Sequence, residues 1–443
     1  MLSTRRQLEL TLHALGAPVA VELPQRSHSV EVFPVMLGSV DAKAITSRTT
    51  DIAGRMGVPS CRAAWGPNQL LEIELPLAER QLLKYEHLKV NSNAKIPWLL
   101  GATRDNALVT DLATAPHMLV TGTSGAGKSN ATTASLLHLV ESRGPQEVRL
   151  LIADLKEVDL APFRAVPHTL SHETKPLAIL DQSRQLELEM AKRYSELARV
   201  GAKNLVSYNH KSGNKLPYIV FIIDELGGLM NKDDRIEAED GTKTAYSKLL
   251  TASLQNLLSL ARASGIHLVL GMQRPGASSI DPQLRENLKA RVAFKCTDAS
   301  SSQLAVGDNS ATGLLGRGDG LFKLDDAPQR FQAPFVDEET LHKVLAKAAK
   351  QKDEGYELPH LGKPQQEMKP NYEGQDKLQA SIDEVRRHKH VNSRTLIEAG
   401  ICGRSTAAKL LLQELESRGI VGPNDPSLKA RPVLVSATDS DGW

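Results

Sequence analysis

Two stretches in the middle of this 443-residue chain carry residue types that together could hold and cleave a phosphoanhydride. The first, Gly122-Thr-Ser-Gly-Ala-Gly-Lys-Ser129, has the spacing G-x-x-x-x-G-K-S and runs from an apolar strand-like segment, Met118–Thr121, into a helix-compatible run, Asn130–Val140. Its glycines let the backbone turn so that N–H groups face phosphate oxygens, and the N-terminus of the following helix adds positive potential. Gly122, Thr123, Ser124, Gly125, Ala126, Gly127, Lys128, Ser129 and Asn130 are therefore the expected nucleotide contacts. Lys128 would reach the β- and γ-phosphates and Ser129 would ligate Mg²⁺, so ATP and Mg²⁺ are the expected cofactors. The plainer alternative is a glycine-rich turn that binds no nucleotide.

Hydrolysis also needs a carboxylate on the metal side and a group that activates water, because phosphoryl transfer is catalysed chiefly by positioning and charge stabilisation. Asp224 and Glu225 directly follow the apolar run Tyr218–Ile223 and supply both, Asp224 toward Mg²⁺ and Glu225 toward the attacking water. A pair that merely caps the next helix is the alternative. Gln273, in Gly271-Met-Gln-Arg-Pro275, follows the run Ile266–Leu270 and could orient water at the γ-phosphate, although a loop glutamine by itself is usually only solvated. Asp154 and Lys156 follow Arg149–Ala153 in the same manner and rank second, since a salt bridge or a subunit contact accounts for them equally well.

Each of these groups comes just after a short apolar segment. From about 91 to 345 the pattern is Met118–Thr121, Arg149–Ala153, Tyr218–Ile223, Ile266–Leu270, Arg291–Lys295 and Gly320–Lys323, separated by long helical segments. That predicts an α/β fold, a mostly parallel sheet covered by helices on both faces, with ligands beyond the carboxyl ends of the strands. Residues 1–90 read as a small α+β domain, with extended Val30–Phe33 and Leu70–Leu75 and a helix near Ser47–Met56. Residues 346–378 read as a polar linker. In 379–443, helical runs Arg394–Ala399 and Thr406–Arg418 precede Gly419-Ile-Val-Gly422 and extended Arg431–Val435, the layout of a winged helix.

Lys and Arg total 54 against 52 Asp and Glu, so the whole chain offers no field that would draw nucleic acid or membrane. Between Val385 and Arg431, however, nine basic residues face four acidic ones, and phosphate contact is one use for that excess. In a helix-turn-helix the second helix enters the major groove by its N-terminal residues, which makes Arg404, Ser405, Thr406 and Lys409, with Arg394 on the preceding helix, the expected DNA contacts. A winged helix that binds protein is the alternative. Cys61, Cys296 and Cys402 fit neither a disulfide framework nor a zinc site, which suits a reducing cytoplasm. The longest relevant apolar run, Tyr218–Ile223, is far short of the roughly 20 residues that span a bilayer, and Met1–Arg6 does not open a signal peptide. A cytoplasmic protein without a membrane span is expected.

Taken together, Gly122–Ser129, Asp154-Leu-Lys156, Pro217–Glu225, Arg262–Leu270 running into Gln273-Arg-Pro275, and Leu314-Leu-Gly-Arg-Gly-Asp319 resemble the motor domain of the FtsK/SpoIIIE DNA translocases. Weaker likeness extends to residues 1–90, similar to the small domain that precedes the motor, and to 380–435, similar to the winged helix that reads DNA. The family's membrane-anchored N-terminal part is not matched. The resemblance implies a RecA-like P-loop motor working as a homo-oligomeric ring, a hexamer, with double-stranded DNA in its channel and ATP between neighbours. It also implies an arginine donated across the interface to stabilise transition-state charge. Arg262, Arg274, Arg285, Arg291 and Arg317 are candidates, and Arg291 is preferred.

The chain departs from the family at several places. Leu226-Gly-Gly-Leu229 stands where Ala-Asp commonly follows Asp-Glu-Phe, and Ser302-Gln303 where relatives often have Ser-Arg. The charged stretch Asn231–Asp240 is longer than usual and reads as a solvated loop. Ser405-Thr-Ala-Ala-Lys409 replaces an Asn-Arg-Ala-Ala-Arg run, so the preferred DNA sequence could differ. The expected function is ATP-driven translocation of double-stranded DNA in phage, plasmid or chromosome handling, by a motor recruited by DNA or by a protein partner. A motor that energises protein secretion or conjugative transfer is the competing class; such secretion motors typically string several ATPase modules together and lack a DNA-reading winged helix.

Overall fold

The structure is a computed structural model that describes residues 3–66, 68–104, 106–231, 234–237, 243–273, 280–325, 327–361, 375–388, 390–398, 401, 405–425 and 430–434. The chain divides into two compact units, Met1–Lys232 with Ser247–Lys363, and Asp233–Tyr246 with Pro364–Trp443.

In the larger unit, alternation of apolar and polar residues in Val30–Met36 and Leu71–Pro76 gives two strands that pair antiparallel at the centre of a five-stranded sheet. The helices Thr4–Ala14 and Thr49–Met56 add Leu8, Leu12 and Ile52 to a core shared with Phe33 and Ile73. A second sheet of ten strands follows. Its members are β1 (Pro97–Ala102), β2 (Ala107–Asp111), β3 (His117–Thr121), β4 (Val148–Ala153), β5 (Thr169–Glu173), β6 (Tyr218–Ile223), β7 (Ile266–Met272), β8 (Ala290–Phe294), β9 (Asp319–Lys323) and β10 (Gln329–Gln332). They lie in the order β5-β4-β6-β7-β3-β8-β9-β10-β1-β2. The run from β5 to β8 is parallel, and the remaining strands join antiparallel. Every residue of β3, β4 and β7 is buried, which is why these strands read as mostly apolar runs.

All six expected strands are present, Tyr218–Ile223 with the expected bounds and the other five differing by a residue or two. Of the additional strands, β5, Thr-Leu-Ser-His-Glu, is a half-buried edge without an apolar run. β1 is a buried apolar run that sequence reasoning missed, and it pairs with β2 through an irregular register between Leu99 and Gly101. The segment expected to open the linker is also bound to this unit. Arg149 at the start of β4 donates from Nη1 to Asp353 Oδ2 at 3.2 Å, and Arg193 Nη2 donates to the Tyr356 hydroxyl at 2.7 Å. The Tyr356 ring lies 5.9 Å from the Arg149 guanidinium and 5.7 Å from that of Arg193.

In the smaller unit, Arg235–Glu237 pairs antiparallel with Lys243–Ala245, so part of the stretch expected to be a solvated loop is a hairpin strand. The helices Gln375–Val385, Ser393–Glu398 and Ser405–Ser417 accompany a short antiparallel ladder, His390–Val391 with Arg431–Pro432, and share a core of Val385, Val391, Leu396, Leu412, Leu415 and Val421. The first of these helices overlaps the expected linker. Leu378, Ile382 and Val385, spaced four and three apart, give it one apolar side.

Buried charges join the two sheets of the larger unit. Arg330 of β10 holds Asp319 of β9 through Nε and Nη2 at 2.9 and 2.7 Å, and holds Glu74 through Nη1 at 2.6 Å; Arg62 reaches Glu74 at 2.7 Å. Burial alone would raise the Glu74 carboxyl, but Arg62 and Arg330 overcome it and hold the group below the ordinary range. Removing one partner strands charges in a low-dielectric interior, so Arg330→Ala is expected to lower denaturant-measured stability by about 3–5 kcal/mol. Arg199→Ala, which breaks the exposed pair with Glu196, should leave the unfolding midpoint unmoved. Equal midpoints for the two variants would refute the account.

Candidate phosphate-binding site at the carboxyl edge of the sheet

Strand register decides where the chemistry gathers. Thr121 of β3 is level with Met272 of β7, Leu270 of β7 with Ile223 of β6, and Ile223 with Ala153 of β4. The loops after these strands therefore leave at one edge, which brings Gly122–Ser129, Asp224, Glu225 and Gln273 together. A cleft of about 260 Å³ opens there, lined by Gly122–Gly125, Gly127–Asn130, Lys156, Asp159 and Gln273. Ala126 turns into the hydrophobic core instead of lining it.

Backbone contacts with both flanking strands shape the phosphate loop. Gly122 N–H donates to Met272 O at 3.2 Å, and Thr123 donates to Lys295 O through its N–H at 3.1 Å and its hydroxyl at 3.0 Å. Gly127 caps the helix Lys128–Ser142 with φ of 107°. A Cβ at Gly127 would stand 2.3 Å from the Gly318 nitrogen, so both conformation and space require glycine.

Lys128 Nζ donates to Asp224 Oδ1 at 2.7 Å and to Asp224 O at 2.6 Å, with both side chains almost fully buried. Gly271 of β7 makes this close pairing possible, since a Cβ there would lie 2.1 Å from Asp224 O and 2.9 Å from Lys128 Nζ. Sequence reasoning missed this glycine, although its place two residues before Gln273 is a visible cue. Glu225 Oε1 accepts the Gln273 N–H at 3.3 Å, while Oε2 is buried with no hydrogen-bond partner among the described residues. Burial raises the Glu225 carboxyl above its ordinary range, opposed by Lys128 and by the Gln273 N–H. Neither carboxylate lines the cleft itself; each is touched by a group that does.

The donor set suits Mg²⁺, which is held by a few hard oxygens plus substrate phosphates rather than by an all-protein cage. Ser129 and Asp224 offer such oxygens, and among the described residues no group of three or more His, Cys, Asp or Glu could hold a metal. Asp154 has a different task from chemistry. Its buried carboxylate accepts the N–H groups of Lys156 and Glu157 at 3.1 Å and of Leu160 at 3.3 Å, folding the loop that delivers Lys156 and Asp159 to the cleft. Asp159 had no sequence signal of its own. Asn130 lines the cleft, but its amide is pinned by Pro334 O at 2.7 Å and by the Val336 N–H at 3.1 Å.

Arg291, the preferred donated arginine, is engaged within its own chain. Its guanidinium is spent on the carbonyls of Leu288, Leu304 and Arg285 at 3.1, 3.3 and 3.3 Å, which makes it a brace for β8. Arg274 lies outside the described residues. Of the expected DNA contacts, Ser405 and Thr406 open the helix Ser405–Ser417, Lys409 is exposed one turn later, and Arg394 is second in the helix Ser393–Glu398. Arg404 lies outside the described residues. Among the described residues no helix is long and apolar enough to cross a membrane.

Known proteins share these features. Residues 81–277 match the FtsK/SpoIIIE family. The chain is 29% identical over 455 residues to DNA translocase FtsK of Streptococcus pneumoniae (strain ATCC BAA-255 / R6), covering 96% of this chain and 57% of that protein. It is 28% identical over 460 residues to DNA translocase SpoIIIE of Bacillus subtilis (strain 168), covering 98% and 56%. The chain thus spans a little over half the length of these relatives. Among solved structures, the pCW3 conjugation coupling protein TcpA, in a monomer form with ATPgS, superposes with a TM-score of 0.55 at 22% identity over 78% of this chain and 99% of that one. The cytoplasmic domain of the Thermomonospora curvata type VII secretion ATPase EccC does so at 0.52 and 20% identity, over 62% and 34%. These likenesses establish the fold, mixed α/β with a parallel-rich sheet. Motifs, sheet and matches agree on the domain at residues 81–277, which is similar to the FtsK/SpoIIIE family, as most of the chain is to translocases of that name.

Proposed function

We propose that this chain is an ATPase motor that moves double-stranded DNA, working as a ring of identical subunits, a hexamer. The observation that carries the reading is the buried Lys128–Asp224 pair beneath the phosphate loop, with the bare Oε2 of Glu225 at the same sheet edge. Lys128 meets the β- and γ-phosphates, and Ser129 and Asp224 hold the metal. Bound Mg²⁺ supplies neutralisation of charge on the triphosphate. Glu225 takes the proton of the attacking water, and Gln273, fixed to Glu225 through its own N–H, orients that water.

The names of the curated relatives favour DNA as the cargo. The smaller unit adds support, since three helices and a short antiparallel ladder suit a winged helix. In that role Arg404, Ser405, Thr406 and Lys409 enter the groove, with Arg394 as a further DNA contact. The cytoplasm is the proposed compartment, and recruitment by DNA or a protein partner the proposed means of location. Protein secretion or conjugative transfer is the competing use of the same motor fold.

ATP hydrolysis with and without linear duplex DNA, paired with displacement of a triplex strand, tests the reading. Duplex DNA should stimulate hydrolysis, and displacement should accompany it. Lys128→Ala and Glu225→Gln should each lower kcat by about 100-fold or more. Hydrolysis indifferent to DNA without displacement would move secretion to the front.

Glu225 must be ionised to act, and its carboxyl lies above the ordinary value of 4.5. The rate should therefore be full above the raised pKa and fall as pH drops through it, placing the acid limb of kcat above the ordinary glutamate range. A limb at or below 4.5 would remove Glu225 as the base. Analytical ultracentrifugation with DNA and a non-hydrolysable ATP analogue should show a species about six times the chain mass; a persistent monomer would exclude the ring.

A further inference from the structure

The loop that enters β9 holds an arginine in a conformation usually left to glycine. Gly316, Arg317 and Gly318 have φ of 73°, 53° and 86°, three consecutive left-handed residues. A bulky side chain there costs energy and persists only where its surroundings impose it. Here they do. Arg80 Nη2 donates to Gly316 O at 2.8 Å, Gln332 Nε2 donates to Arg317 O at 2.9 Å, and the Ala333 N–H donates to Gly318 O at 2.7 Å. Asp319 Oδ2 accepts the Leu315 N–H at 2.7 Å.

This loop also forms the back wall of the phosphate loop. The Gly318 N–H donates to Ala126 O at 2.8 Å, and the absent Cβ of Gly127 is what allows the two segments to touch. At the tip, the Arg317 side chain is exposed and has no hydrogen bond or ion pair among the described residues. Burial chiefly, and then the charges of Arg330 and Arg317 against the pull of Asp319, lower the pKa of the Arg80 guanidinium, which places these cations in one neighbourhood.

Sheet order says which end of a nucleotide this flank would meet. Glu225 and Gln273 follow β6 and β7, on one side of β3, while Arg317 precedes β9 on the other side, beyond β8. With the γ-phosphate at the Lys128 and Glu225 end, the nucleoside extends toward β8 and β9. We propose that Arg317 is a nucleotide-binding residue acting within its own subunit, its guanidinium lying on the base and ribose of ATP. A planar, weakly hydrated cation suits stacking on a purine. The strained backbone is retained because it fixes that cation beside the phosphate loop. The proposal rests on the ATP-site reading above.

Arg317→Gly is the decisive variant, since glycine adopts the same φ without strain and removes only the side chain. On the full chain, the KM for ATP should rise about tenfold, with kcat within about threefold. Arg317→Lys should fall between. Inorganic tripolyphosphate, used as a competitive inhibitor, should keep its inhibition constant in Arg317→Gly, because it lacks a nucleoside. An unchanged KM would overturn the proposal. So would equal weakening of ATP and tripolyphosphate, which would show the loop acting only on the phosphate cradle. Wild-type hydrolysis that survives Lys128→Ala would instead sink the site reading itself.

Discussion

An ammonium and a carboxylate held almost out of water, Lys128 against Asp224, are the constraint around which the larger unit is arranged. Burying such a pair is a poor source of stability, since desolvation offsets much of the attraction. Its value lies in holding a cation where phosphate must bind. The pair forms only if β3 and β6 end at the same level with β7 between them, and only if β7 presents no side chain at position 271. Parallel register, buried apolar strands and one glycine are thus all required by a single contact between residues 96 positions apart.

A second buried cluster extends this constraint outward. Glu74 of the N-terminal sheet is tied to Arg330, Arg330 to Asp319, and Asp319 to the Leu315 N–H at the start of the loop that backs Gly127. The phosphate loop is therefore supported from behind by residues that are themselves anchored in the N-terminal sheet. Asp154 achieves a similar end on the other flank by local means, spending its carboxylate on three N–H groups of its own loop. One wall of the cleft is held by long-range ion pairs and the other by a local turn.

What could be read from sequence follows this division. Gly122–Ser129 and Asp224-Glu225 were legible because each is a contiguous run whose meaning depends only on a preceding apolar strand, and those strands are buried on both faces. β5 and β10 were not, because a half-buried strand leaves no apolar run or clean alternation, whereas β1 is a buried apolar run that sequence reasoning missed. Contacts that join distant positions also leave no local pattern. Arg62 and Pro328 are 266 residues apart, and nothing near either one marks it as a partner of the other. Nor could the sequence show that the Arg291 guanidinium lies on three carbonyls, since Leu288, Leu304 and Arg285 meet it only in the fold. Gly271 and Gly318 were visible as glycines, but the atoms that exclude a Cβ come from other strands.

Strand β4 shows how the two edges of the sheet are joined. At its amino end Arg149 grips Asp353 and faces Tyr356, which ties the segment at 353–356 to the strand. At its carboxyl end Ala153 leads into Asp154 and the loop carrying Lys156 and Asp159 to the cleft. The strand's six residues are all buried and paired with β6, the last four also with β5, and they span about 20 Å. Within the larger unit, β4 thus joins the ion pair at Arg149 to the loop that lines the cleft.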